Sequence, residues 1–286
     1  MQICGRDFTS QEIDWINDKV QTCPDLNRVQ LSRLFCRHVA WTTPGGGLKE
    51  MSCRVALLRL EKNGRIRLPV VQKKVSRQTK VRYSEKGRPQ EAIRIDAGKI
   101  ELCLEPVRRK TSPLFNELIQ RYHYLGYCRM CGAQMRFFVY AAKDLVGLLG
   151  FSAAAWRVAG RDDLIGWSDA QRKAHLHRVV NNSRFLILPW VESKNLASRI
   201  LAHAARKLPG FWQHRYGYKP LLLETFVEKQ RFVGTCYKAA NWIYMGDTTG
   251  RGKDDKTHRP NRSIKAVWGY PLNKRFKTYL NAGANT

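Results

Sequence analysis

The sequence predicts an α+β protein in two parts, a small helical N-terminal domain closing on a basic hairpin and a larger mixed α/β domain. Three observations predict it. Residues 1–72 carry apolar residues at helical spacing and end on a tight-turn dipeptide. Residues 73–91 are polar and rich in Lys and Arg, as in a linker or arm that lies along phosphates. From residue 92 to 286, strand-like and helix-like segments alternate.

In the first part, Thr9-Ser10-Gln11-Glu12 fits a capping box. Ile13, Ile16 and Val20 then share one helical face, and Pro24 ends the run. A second helix is expected from Asn27 to Ala40, with Leu31, Leu34, Phe35 and Val39 as its stripe. Thr43-Pro44-Gly45-Gly46-Gly47 breaks the chain. A third helix follows, with Leu48, Met51, Val55 and Leu58 expected inward and Lys49, Arg54, Arg59 and Lys62 outward. Asn63-Gly64 signals a tight turn, and Arg65-Ile66-Arg67-Leu68-Pro69 alternates like an edge strand. Helix, turn, basic helix and basic hairpin is the order of a winged helix-turn-helix, which places the second helix of the pair in the major groove. Arg54, Arg59 and Lys62 are then groove or phosphate contacts, and Arg65 and Arg67 wing contacts. A helical subdomain with a solvated basic face would carry the same pattern.

In the second part, Ile93 to Leu104 reads as a strand pair. Ser112-Pro113 starts a helix, with Pro at the first helical position. Gln134 to Ala141 and Leu145 to Ala155 read as strands, Gly160 to Gln171 as a polar loop and Arg184 to Val191 as a buried strand. Asn195 to Leu208 is an amphipathic helix that Pro209-Gly210 interrupts. Tyr218 to Val227 is another buried strand, Phe232 to Ala240 is helical, and Gly250 to Arg262 is basic and turn-rich, with Arg251 and Lys253 as phosphate contacts.

Charge narrows the function. Lys and Arg number 51 against 23 Asp and Glu, a formal net charge of +28. Self-repulsion of that size opposes compaction. A polyanion relieves it, and nucleic acid releases condensed counterions as it binds. DNA is the expected partner, with Lys73 and Lys74 of the arm adding to the footprint. A solubilising surface or an anionic-membrane binder would show the same excess. Hydrophobic residues at 43% and aromatics at 10% supply a core. Met1 to Asp18 holds no continuous apolar run. The longest largely apolar stretch, Leu145 to Trp156, is too short to span a bilayer. A cytoplasmic protein with no membrane partner is expected, its eight scattered cysteines reduced thiols of the core.

Few motifs carry chemistry. Cys128-Arg129-Met130-Cys131 is a CxxC without a second pair, so no metal site is expected. Val191-Glu192-Ser193-Lys194-Asn195-Leu196-Ala197-Ser198 joins a buried strand to a helix N-terminus, where free N–H groups make an anion site. Its spacing is similar to the pyrophosphate-binding junction of the N-acetyltransferase superfamily. Glu192, Asn195 and Ala197 occupy the three marked places, with Glu for the usual Gln or Arg and Asn for a Gly. The next strand carries Glu224. Tyr237 then stands four residues before Asn241-Trp242, the place of a general-acid tyrosine in that superfamily. The resemblance implies an acetyltransferase-like core in which Tyr237 and Glu224 are catalytic and Asn195, Ala197 and Ser198 bind a cofactor, left unnamed because fold does not imply activity. Tyr237 and Glu224 would look the same as satisfied buried hydrogen-bonding groups. Asp144, Glu224 and Asp247 are the alternative, the acids of a transposase-like, metal-dependent nuclease.

Longer strings resemble one family. Tyr122-His123-Tyr124-Leu125-Gly126, Val180-Asn181-Asn182-Ser183-Arg184-Phe185-Leu186-Ile187 and Gly234-Thr235-Cys236-Tyr237-Lys238-Ala239-Ala240-Asn241-Trp242 are similar to the DruA family of the bacterial Druantia anti-phage systems. So is Leu48-Lys49-Glu50-Met51-Ser52-Cys53-Arg54 near the start. The resemblance implies phage defence or mobile-element biology, a nucleic-acid target and other Druantia proteins as partners. A non-catalytic recruiting subunit fits it too.

Overall fold

A computed structural model describes residues 2–70, 81–96, 98, 100–251 and 262–283. The chain divides into two compact units, Met1–Gln78 and Thr79–Thr286.

The first unit opens with a short hairpin, β1 (Gln2–Ile3) and β2 (Arg6–Asp7), followed by α1 (Ser10–Thr22), α2 (Arg28–His38) and α3 (Glu50–Lys62). The capping box forms as expected: Thr9 Oγ1 accepts from the Glu12 N–H and Glu12 Oε2 from the Thr9 N–H. Asn27 Oδ1 caps α2 through the N–H groups of Val29 and Gln30. The core joins Ile16, Leu31, Phe35 and Cys36 to Cys53, Ala56, Leu57 and Leu60.

Two expectations are corrected here. On α3 the buried face is Cys53, Ala56, Leu57 and Leu60, while Met51, Val55 and Leu58 are exposed. The helix carries two apolar stripes, and the one with the smaller residues packs, since Cys and Ala let α2 and α3 approach closely. Residues 65–69 are not a strand. Ile66 is buried, and side chains hold the backbone instead: Asn17 donates to the Arg65 carbonyl, Arg28 to the Pro69 carbonyl, and Leu68 N–H to Glu61. The α2–α3 connection spans residues 39–49, longer than the usual three or four of a helix-turn-helix.

The second unit runs β3 (Ile93–Arg94), β4 (Leu102–Pro106), α4 (Ser112–Tyr122), β5 (Gln134–Ala141), β6 (Asp144–Ala153), α5 (Ala159–Ile165), α6 (Asp169–His175), β7 (Val179–Ile187), β8 (Val191–Glu192), α7 (Leu196–Tyr216), β9 (Leu222–Glu228), α8 (Thr235–Ala239), β10 (Ile243–Asp247), β11 (Lys265–Pro271) and α9 (Phe276–Leu280). Seven strands form one sheet in the order β10-β11-β9-β7-β6-β5-β4. Every neighbour pair is antiparallel except β7–β9, which is parallel and linked through α7. One face packs on α7 through Ile200, Ala204, Leu208 and Trp212, with Phe137 and Phe151 opposite. The other packs on α4 through Phe115, Leu118 and Ile119, with Phe138 and Leu148 opposite. The alternation of Phe137 and Phe138 is the strand period itself.

The expected pair across Ile93–Leu104 does not form. β3 joins β8 in a separate two-stranded ladder and β4 is an edge of the main sheet. The expected loop at 160–171 is instead α5 and the start of α6, short helices in which the fully buried Arg161 and the mostly buried Asp162 face inward. α7 continues through Pro209 to Tyr216, because its apolar face past that point, ending in the fully buried Trp212, still packs on the sheet. Gly217, at a φ of 79°, ends it. Part of the expected linker is fixed to α4: Glu117 accepts from the Ser84 N–H and hydroxyl, and Tyr122 donates to the Gly87 carbonyl.

Candidate ligand cleft

β7 and β9 pair only over Val179–Leu222, Val180–Leu223 and Asn181–Glu224, and then diverge. The divergence has a local cause. On its other side β7 carries a bulge opposite Gly150 and Phe151, which bends the strand. The Asn182 carbonyl is taken by the Thr225 hydroxyl at 3.0 Å. A cavity of about 730 Å³ opens between the strands. Phe185, Ile187, Phe226 and Val227 are among its apolar walls, and residues 122–125 and 231–237 close it.

Tyr237 lies at the polar floor. Its hydroxyl donates to Asn182 Oδ1 at 3.1 Å, with Thr225 Oγ1 at 3.5 Å. Burial pushes the phenol well above its ordinary range, so it keeps its proton at neutral pH. Gly234 lets the chain enter α8 at a φ of 81°, and an added Cβ there would stand 2.9 Å from the Trp268 indole nitrogen.

The rim holds groups that the sequence reading did not single out as site residues. His123 is pushed down to about 4 by burial and then by the Arg184 charge, so it is neutral at physiological pH. Its Nδ1 accepts from the Leu125 N–H. Tyr124 packs edge-on against Phe232, with Arg231 over its ring. Glu228 is 8% exposed and takes the Ser263 hydroxyl on Oε2, while Oε1 is buried without a hydrogen bond. One sequence signal was available: Asn181-Asn182-Ser183-Arg184 is a polar run between the apolar Val179-Val180 and Phe185-Leu186-Ile187 of a single strand.

Glu224 is not part of this cleft. It sits where β9 is still paired with β7, across from Asn181, 2% exposed, accepting from Arg161 Nη1 at 2.9 Å. Arg161 also binds Asp162 and the Trp156 carbonyl and lies 5.7 Å from the Trp167 ring centroid. Burial pushes the Glu224 carboxyl up and the Arg161 charge opposes it. Neither Asn195, Ala197 nor Ser198 lines the cavity. They stand at the start of α7, where Asn195 takes the left-handed conformation at a φ of 59° and Ser198 Oγ turns to the Asn195 carbonyl. Asn tolerates that backbone better than most residues, so it can stand where a glycine was expected. Glu192 is neutralised by Arg94 at 2.9 Å.

Of the expected nucleic-acid contacts, Arg59, Lys62, Arg65 and Arg67 are exposed, and none is held by a carboxylate among the described residues. Lys49 and Arg54 are half-buried. Arg251 is exposed, and Lys73, Lys74 and Lys253 lie outside the described residues. Asp247 is engaged by Lys229 and Tyr244. No three His, Cys, Asp or Glu converge on a metal-sized site among the described residues, so Asp144, Glu224 and Asp247 form no triad. All eight cysteines are free, but only Cys36 and Cys53 belong to the core, and Cys128 and Cys131 are exposed. No helix of the described residues is long and apolar enough to cross a membrane.

Fold and cleft together define a mixed α+β protein whose ligand-sized cleft opens where a parallel strand pair diverges, preceded by a basic helical unit. The chain belongs to the DruA family: the pattern that defines that family, described as Druantia protein DruA, matches residues 58–276. No curated protein matches the chain. Among solved structures it is similar to a chimera of spermidine N-acetyltransferase from Vibrio cholerae and hSSAT, at 15% identity over 63% of this chain and 98% of that one, with a TM-score of 0.39. An aminoglycoside acetyltransferase in complex with coenzyme A shares 10% identity over 63% and 98% of the two chains, with a TM-score of 0.38. An N-acetyltransferase from Staphylococcus aureus shares 10% over 60% and 98%, with a TM-score of 0.36.

Proposed function

We propose that this chain is the nucleic-acid-binding component of a Druantia-type anti-phage system, with DNA as its target and other Druantia proteins as its partners. The observation that carries the reading is the basic run Arg59, Lys62, Arg65 and Arg67 on the first unit, unneutralised among the described residues, in a chain of net charge +28. α3 is the element placed on the nucleic acid. Residues 65–69 then act as a basic extension of that helix rather than as a wing. Phosphate contacts of this kind position a protein on a strand without reading its sequence.

The cleft of the second unit takes a ligand with an apolar body and a polar head, the head meeting Tyr237, Asn182 and Thr225. An acyl thioester, the group an acetyltransferase-like core implies, would supply an activated acyl group there. Tyr237 fits the acyl end, since it holds a proton at Oη on the cleft floor. The uncapped N-terminus of α7 beside Lys194 fits the phosphate end. On this reading the protein modifies what it binds.

Two measurements test the proposal. DNA affinity of the full chain should fall steeply with added salt, and Arg59→Glu/Lys62→Glu should weaken it at least tenfold. Acyl-coenzyme A should raise the melting temperature, and Tyr237→Phe should abolish acyl transfer while leaving DNA binding intact. A chain that retards no polynucleotide at low ionic strength overturns the first part. Full defence in Tyr237→Phe leaves a recruiting subunit and overturns the second.

A further inference from the structure

A second cavity, of about 360 Å³, opens on the second unit away from the β7–β9 cleft. Arg129, from the loop before β5, Arg136, on β5, and Arg215, in the last turn of α7, all line it. Tyr127, Tyr216 and Gln134 complete the polar wall. No carboxylate lines it, and none of the three arginines is ion-paired among the described residues.

The arrangement is built rather than loose. The Arg136 guanidinium is half-buried, held by Asn116 Oδ1 at 2.8 Å and laid over the Phe115 ring at 5.3 Å. Arg215 lies over Tyr216 at 5.6 Å. The Tyr216 hydroxyl is fixed in turn, donating to the Gln134 carbonyl and accepting from its N–H, each at 2.7 Å. Burial lowers the proton affinity of Arg136, Tyr127 opposes that, and the Arg215 charge adds a smaller push in the same direction as burial. Guanidinium groups converging without a counter-charge are matched by an anion with several acceptor oxygens, and phosphate is the common one.

We infer that Arg129, Arg136 and Arg215 form a phosphate site for one nucleotide of a single-stranded nucleic acid. The volume sits at the small end of ligand cavities, which run from about 300 to 1,000 Å³, so it has room for about one nucleotide. Tyr127 and Tyr216 place aromatic rings beside the cations, the combination that holds single strands. The strand as the source of the phosphate rests on the nucleic-acid reading above. The site itself rests on the three arginines.

The full chain is titrated with a labelled single-stranded oligonucleotide across a salt series, beside Arg129→Glu/Arg215→Glu and Arg129→Lys/Arg215→Lys. Both positions are exposed, so the variants should fold, and circular dichroism checks it. The Glu pair should lose at least tenfold in affinity. Its slope of log affinity against log salt should become shallower by about 1.4, since each lost single-strand phosphate contact removes roughly 0.7. The Lys pair should keep the parent slope. Affinity within twofold of the parent and an unchanged slope in the Glu pair overturn the site, while loss in Arg59→Glu/Lys62→Glu alone would still support the first unit. If the parent retards no polynucleotide, the nucleic-acid reading falls. Stabilisation by adenosine monophosphate or inorganic phosphate without oligonucleotide binding then assigns a free anion and overturns the strand.

Discussion

Glu224 and Thr225 are adjacent in β9 and do opposite things because strand side chains alternate between faces. Thr225 faces the cleft and touches Tyr237, whereas Glu224 faces away and closes a buried ion pair with Arg161. That pair is structural, and removing one partner strands a charge inside the protein. Glu224→Ala should destabilise the fold by about 3–5 kcal/mol, and Arg161→Met added to it should recover much of the loss. Urea unfolding of the two variants measures both. A loss under about 1 kcal/mol in the single variant contradicts the pair. At the cleft rim, where β9 has left β7, Oε1 of Glu228, without a hydrogen bond among the described residues, and the neutral His123 are the groups a donor-bearing ligand would meet first.

At the scale of elements, packing overrode local pattern. α3 carries two apolar stripes, and only contact with α2 decides that Cys53, Ala56 and Leu57 face in while Met51, Val55 and Leu58 face out. α7 keeps Pro209 in its interior, a residue that removes a helical hydrogen bond, because the sheet holds both sides of the break. The segment 83–87 is fixed to α4 through the Glu117 carboxylate, which also pairs with Arg121 at 3.0 Å. A methyl group at Gly87 would overlap that carboxylate. Gly87→Ala should therefore cost about 1–3 kcal/mol, measured as a lowered urea midpoint with an unchanged slope. Neutral stability in that variant would show that the segment is not fixed to α4.

Across the whole molecule, the charge excess acts at long range. Fifty-one basic groups against 23 acidic ones leave a repulsion that salt screens. The melting temperature without nucleic acid should rise between 50 and 500 mM sodium chloride, read by calorimetry. A fall would mean that attractive pairs outweigh the repulsion. The same salt should weaken DNA binding, so stability and affinity move in opposite directions along one axis.

The mixed α+β character was legible because apolar periodicity and helix caps are local: Thr9, Asn27 and Ser112-Pro113 each mark a helix start from a few adjacent residues. The place of Tyr237 on a helix after a buried strand was legible for the same reason, as was the charge excess. The cleft was not, because it arises where β7 and β9 stop pairing, and that depends on a bulge against a third strand. Nor was the arginine cavity, whose members come from positions 129, 136 and 215 and meet only when β5 and the end of α7 pack together. Local sequence determined which elements form and how strongly charged the chain is. Tertiary structure alone decided which side chains face one another, because burial and convergence are properties of the packed chain.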